Sequence, residues 1–325
     1  LLTSYLVRLA CFSLASFFLI NSALALLTWL SAPAAIRLAA QLRPTVAARF
    51  VLALRLLPSS LSLFAVAGLC VPSYLWLEPQ GMSEQAGWWC WVLTLLGVGT
   101  LIGCLLRVCR ALGAALRYTR ECRRGGRELL VRDDPRPVWV VDGGAPILAV
   151  AGVARPRIVI SSGVLRELSS EQLDAALGHE RAHLASRDNL KRFLVLLAPD
   201  VFPFCRCFVP LERSWAQFAE WAADDRAVGG ESERSLSLAS ALVRVARMGS
   251  AARLPGVAIC FVADDAGLSA RVDRLLRGNS VENDLMPGVT ALLAAAAAVL
   301  VILSASMLQP SAWHTVHQAL EHLVR

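Results

Sequence analysis

The chain has 325 residues, of which 56% are hydrophobic, with a mean hydropathy of +0.55 and a formal net charge of +7. That apolar share is too high for an ordinary soluble globular chain and reads as a membrane protein. Residues 131–284 carry nearly equal numbers of acids and bases, so the basic surplus lies in the segments flanking apolar stretches. There it reads as membrane lipid contact, and no direct nucleic-acid partner is expected.

Four stretches lack charged side chains: residues 9–36, 56–77, 85–106 and 285–320. Each supplies the roughly 20 apolar residues that a helix needs to cross the hydrocarbon. In the last, residues 289–308 are densest, and Pro287-Gly288 marks the start. The first would also suit a cleaved signal peptide, but signal cores run only about 7–15 residues, so it is kept as a span. Arg37, Arg43, Arg49 and Arg55 lie between the first two stretches, and Arg107, Arg110 and Arg117 open the segment after the third. Between the second and third stand Glu78 and Glu84 with no Lys or Arg. The positive-inside rule then places the N-terminus outside and residues 131–284 in the cytoplasm. Nine cysteines without a CxxC pair read as free thiols.

Past "RRGG" (123–126) the pattern changes to short β-branched runs, "VWVV" (138–141), "ILAVA" (147–151) and "RIVI" (157–160), separated by Gly/Pro turns. A helix then starts at Ser169 or Ser170, with Gln172 placed for a capping box. Residues 193–208 are apolar but too short and Pro-broken to span, and read equally as an interfacial segment or as core. Further helices are expected over residues 211–228, 235–248 and 268–278.

The motif helix contains "HERAH". His179 and His183, four residues apart, share one helix face and can present two imidazoles to one metal ion. Glu180 can then reach a water activated by that metal without being a ligand itself, which is the H-E-x-x-H arrangement of zinc peptidases. The alternative is a pair of surface histidines on an amphipathic helix. The other histidines, His314, His317 and His322, all follow the fourth stretch, so a closed two-His site needs a carboxylate. "EWAADD" offers Glu220 as that ligand, with Asp224 one turn on to accept the second N–H of a ligating imidazole. A solvated acidic helix face is the alternative for these two, and Asp225 points elsewhere. Arg226, Arg271 and Arg274 are candidates to hold an oxyanion, because all three tyrosines lie in or beside spans. Residues Arg157, Ile158, Val159 and Ile160 are taken as an exposed strand edge that pairs with an extended substrate.

The order of three spans, an H-E-x-x-H region and a fourth span resembles the BlaR/MecR-type membrane metallopeptidases, the antirepressor family of β-lactam signalling. "APILAVAGVARPRIVISSGVL" (145–165), "EWAADDRAV" (220–228, with Ala223 where Cys is common in the family) and "RVDRLL" (271–276) carry the likeness. The resemblance implies four spans with a cytoplasmic α+β, gluzincin-like peptidase domain: residues 1–127 as three spans, 128–284 as the peptidase, 285–308 as the fourth span and 309–325 as a short outer tail. It implies a Zn²⁺ endopeptidase with His179, His183 and Glu220 as ligands, Glu180 as base and Asp224 behind a ligand. It also implies a bacterial plasma-membrane location and a protein substrate such as a transcriptional repressor, or the chain itself, with a homo-oligomer open. The tail lacks the S-x-x-K of the family's penicillin-binding sensor, so β-lactam sensing is not expected of it. A housekeeping HtpX-type protease and a non-catalytic transducer are the other readings.

Overall fold

The computed structural model describes residues 2–77, 87–129, 137–143, 145–200, 206–249, 259–260 and 265–277. The expected fourth span and the tail with its three histidines lie outside the described residues.

Three long apolar helical segments come first. Helix α1 (Leu2–Ala39) turns tightly into α2 (Pro44–Ala65), which continues through a π-helical turn (Val66–Cys70) into α3 (Val71–Leu77). Helix α4 (Trp88–Gly125) follows. By length and composition, Tyr5–Ala39, Pro44–Leu77 and Trp88–Gly125 can each cross a membrane. Large apolar side chains stand exposed along them, among them Leu27, Leu30, Leu63, Leu95 and Leu105, a surface suited to lipid rather than water. Exposed tryptophans stand at the end of α3 (Trp76) and the start of α4 (Trp88, Trp89), as aromatic residues do at a membrane interface.

Helices α1 and α4 come close at Gly97, where a Cβ would lie 2.8 Å from the Leu14 carbonyl oxygen. Thr94 donates its hydroxyl to the Cys11 carbonyl at 3.1 Å one turn earlier. Small residues allow such crossings in lipid. Gly97→Ala is therefore expected to force the helices apart and destabilise the chain by about 1–3 kcal/mol, read as a shorter half-life of the folded protein in detergent.

The Arg-rich segment after residue 106 is not a loop. It is the continuation of α4, whose 38 residues extend about 57 Å against about 30 Å of hydrocarbon. Its far end delivers the chain straight into β1 (Gly126–Leu129). Strands β2 (Val138–Val141), β3 (Leu148–Ala151), β4 (Arg157–Ser161) and β5 (Ile259–Cys260) complete a five-stranded sheet in the order β1-β2-β4-β3-β5. Alternation sorts its faces. Val138, Val140, Ile158 and Ile160 join the main core, while Trp139, Val141 and Val159 pack with Tyr118 and Cys122 on the end of α4.

This order corrects one expectation. Arg157, Ile158, Val159 and Ile160 are not an edge strand: β4 lies inside the sheet, pairing with β3 over Arg157–Ile160 and with β2 over Val159–Ser161. The remaining helices are α5 (Ser162–Glu167), α6 (Ser170–Ser186), α7 (Asp188–Leu197), α8 (Val209–Val228), α9 (Ser232–Arg247) and α10 (Asp265–Arg277). Helices α6, α8 and α9 lie over the sheet's inner face, through Ala176, Leu177, Ala227, Leu238 and Leu242. The opposite side of α8 belongs to a second core: Leu211, Trp215, Phe218 and Ala219 pack with Ala32, Ala47 and Val51 of α1 and α2. Helix α8 is thus shared between the apolar helices and the sheet-bearing half.

Candidate metal centre

Helix α6 starts on a capping box, in which the Ser169 hydroxyl accepts from the Gln172 N–H and the Gln172 side chain accepts from the Ser169 N–H. It ends at Arg187, held in the left-handed region at φ 54°. Between these stops its inner face buries His179, Glu180 and His183 completely. Helix α8 crosses α6 near Gly178 and Ala227, small residues that let the two backbones come close, and presents Glu220 and Asp224 to the two imidazoles.

The ligand-type atoms converge. His179 Nε2 lies 3.1 Å from His183 Nε2 and 3.4 Å from Glu220 Oε2, and His183 Nε2 lies 3.6 Å from Glu220 Oε1. Nitrogen and oxygen ligands held at about 2.0–2.1 Å in a tetrahedron stand about 3.3 Å apart, so this spacing fits one metal ion of that size. Glu220 remains 20% exposed while the imidazoles are enclosed, so the group opens on the Glu220 side.

Each imidazole is oriented from behind. Asp224 Oδ1 lies 2.8 Å from His179 Nδ1, and Asp188 Oδ2 lies 2.8 Å from His183 Nδ1. Carboxylates so placed take the Nδ1–H and leave Nε2 free to bind. Arg271 of α10 spends its whole guanidinium on this frame: Nε and Nη2 hold the two Asp224 oxygens at 2.9 and 2.7 Å, and Nη1 meets Glu220 Oε2 at 3.0 Å.

Charges of both signs crowd the site. Glu180, Asp188, Glu220 and Asp224 face Arg271, Arg192 and, at Asp188, Lys191. Burial opposes ionisation of Glu220, but Arg271 and His183 outweigh it and hold its carboxyl well below the usual range. Burial likewise opposes a charge on His183, yet Glu220 and the Asp188 hydrogen bond push that imidazole up to about 10. Such a basic imidazole marks a place where a cation is favoured. Both Glu180 carboxylate oxygens are buried with no hydrogen-bond partner among the described residues, and burial raises that carboxyl to about 7. An orphaned carboxylate, Glu180, beside two imidazoles and the Glu220 carboxylate fits a metal with a water at hand.

The other expected groups divide. Arg271 enters the site, but its nitrogens are committed to Asp224 and Glu220 rather than open toward a substrate oxygen. Arg226 donates to the Ala182 carbonyl at 3.3 Å and to Ser186 Oγ, tying α8 to α6. Arg274 pairs with Asp225 at 2.6 Å and lies over the Trp221 ring, so Asp225 is an ion-pair partner and not a solvated acid. Asp188 escaped the sequence reading. Its signal was a carboxylate five residues past the second histidine, across a helix break that no glycine announces.

Residues 145–275 match the family model described as BlaR1 peptidase M56. The M56 segment runs from the turn before β3 into α10 and includes every residue of the cluster. No curated protein matches the chain. Together with three helices able to span a membrane, the M56 match points to a membrane-associated chain of the BlaR1 metallopeptidase type.

Losing a carboxylate that orients a ligating histidine typically costs 10- to 100-fold in metal affinity. Asp188→Asn should weaken metal binding by about that factor, measured by competition with a chromophoric chelator, with less effect on thermal unfolding of the metal-free chain.

Proposed function

We propose that the chain is an integral-membrane zinc endopeptidase that hydrolyses peptide bonds of a protein substrate on the cytoplasmic side. The observation that carries this reading is the convergence of His179, His183 and Glu220, with the unpartnered carboxylate of Glu180 beside them. His179, His183 and Glu220 would hold the ion. Zinc, when bound, supplies a Lewis acid that acidifies water and polarises a carbonyl. Glu180 takes the proton of the attacking water on its carboxylate and returns it to the leaving amine. Asp224 and Asp188 keep the two imidazoles in the Nδ1–H form throughout. Arg271 keeps Glu220 and Asp224 ionised and in place.

The cytoplasmic orientation rests on the arginines at the ends of α1 and α4. The M56 resemblance favours a regulated substrate, such as a transcriptional repressor or the chain itself, in a bacterial plasma membrane.

The test is metal analysis of the purified full chain and its His183→Ala variant, with new protein N-termini compared in cells carrying either. One zinc per wild-type chain, lost in the variant together with a specific cleavage, is the expected result. Wild-type protein without zinc and identical N-termini in the two strains would leave the transducer reading in its place.

A further inference from the structure

A cavity of about 750 Å³ lies beside the candidate metal centre on its His183–Asp188 side, lined by Glu128, Val150, Arg157, His183, Arg187 and Asn189 among others. It sits where the ends of β1, β3 and β4 meet the break between α6 and α7. Asn189 fixes that corner by donating to the Val150 and Gly152 carbonyls at 2.9 and 2.8 Å, so the wall is rigid.

Two observations mark the cavity as built for a ligand. The first is its charge. Neither Arg157 nor Arg187 makes a side-chain hydrogen bond or ion pair with another described residue. Of the described acids that line it, Asp188 is held by His183 and Lys191, and Glu128 accepts from the Trp139 Nε1–H at 3.2 Å and pairs with neither arginine. The second is backbone strain. Among the described residues, Arg187 is the sole non-glycine with positive φ. A left-handed helix stop ordinarily takes glycine, which has no Cβ to clash there, whereas an arginine in that place costs backbone energy. Strain kept beside a reactive centre is a sign that the side chain itself is wanted.

We propose that this cavity binds a carboxylate of the substrate peptide through Arg157 and Arg187, directing cleavage to bonds at a fixed distance from an acidic group. The inference rests on the peptidase reading and names the substrate chemistry for it. The carboxylate has two sources, an Asp or Glu side chain or the peptide's own C-terminus. A planar guanidinium recognises either by paired hydrogen bonds.

The experiment uses the zinc-loaded full chain in detergent and two degenerate peptide pools, one with amidated and one with free C-termini, with products sequenced. In parallel, the Glu180→Gln chain is used to retain peptides from the same pools. Acidic residues are expected at one position relative to the cut, with a preference of about tenfold or more in kcat/KM, the scale of a charge-assisted hydrogen bond. Enrichment confined to free C-termini assigns the cavity to the terminal carboxylate, and enrichment in both pools assigns it to a side chain. Arg187→Glu should turn the preference toward Lys and Arg. Arg187→Gly, which suits the left-handed backbone, should weaken the acidic preference while leaving thermal unfolding unchanged or higher.

Absence of any acidic preference in both cleavage and retention, or a preference unaltered in both variants, overturns the inference and leaves the peptidase reading standing. A wild-type chain that binds no zinc and cleaves nothing overturns that reading, and this inference with it.

Discussion

Glu180→Gln is expected to keep the metal, fold at least as well as the wild type and lose peptide hydrolysis by about 10³-fold, within the range for a positioned general base. The side chain is fully buried and neither carboxylate oxygen has a partner among the described residues, so burial works against its charge and lifts the carboxyl to about 7. A neutral amide of the same shape removes that penalty. It cannot accept a proton from water, so the loss should fall on kcat and leave KM little changed. Rates on a cleavable peptide, zinc stoichiometry and thermal unfolding, taken on one preparation, check all three parts. The sign of the pH dependence follows from the same group. A base works only when ionised, so hydrolysis should fall on the acid side as Glu180 takes up a proton, at a pH below 7 because a cation bound beside the carboxylate favours its charged form, and the Glu180→Gln residue of activity should lack that limb. A variant that cleaves as fast as the wild type would remove Glu180 from the chemistry.

The parts of this site that could be read from the chain are those set by local rules. The cap at Ser169, the i, i+4 spacing of His179 and His183 and that of Glu220 and Asp224 depend only on helix geometry, and the helices formed where the spacing put them. The β-branched runs became β2, β3 and β4 within a residue of their expected bounds. What failed was non-local. A run such as "RIVI" does not say which strands will flank it, and β4 is interior because β2 pairs with it in parallel across a crossover. Asp188 was hidden because Arg187 stands where glycine usually ends a helix, so nothing in the pattern marked the break between α6 and α7. Arg55 and Arg107 were read only as orientation charges. Nothing in the spacing says that both would meet an acid from residues 198–200, a segment whose own pattern left interface and core equally open.

Arg55→Met is expected to destabilise the chain by about 3–5 kcal/mol, the usual cost of leaving a buried charge without its partner. Arg55 lies on α2 and is 2% exposed. It donates to Glu212 Oε1 at 3.0 Å, to the Ala198 carbonyl at 2.9 Å and to Asp200 Oδ1 at 3.3 Å, and its guanidinium lies over the Phe208 ring. One side chain of an apolar helix thus gathers the end of α7 and the start of α8. Arg107 of α4 holds the other Asp200 oxygen at 3.0 Å, so the loss should lie toward the lower end of the range. The effect should also reach the candidate metal centre. Glu212 and Glu220 stand on the same helix, two turns and about 12 Å apart, and Phe218 and Ala219 between them pack in the same core as α1 and α2. Loosening the α2 contact frees α8 to shift relative to α6, where even a small displacement of the Glu220 oxygens spoils a spacing of 3.4 and 3.6 Å to the imidazoles. Arg55→Met should therefore shorten the folded half-life in detergent and weaken zinc binding together. Arg55→Met combined with Glu212→Leu should recover part of both, because the Glu212 anion no longer faces an apolar side chain while Asp200 keeps its pair with Arg107. An Arg55→Met chain with wild-type half-life and metal affinity would mean that the apolar packing of Leu211, Trp215 and Phe218 alone ties the membrane helices to α8.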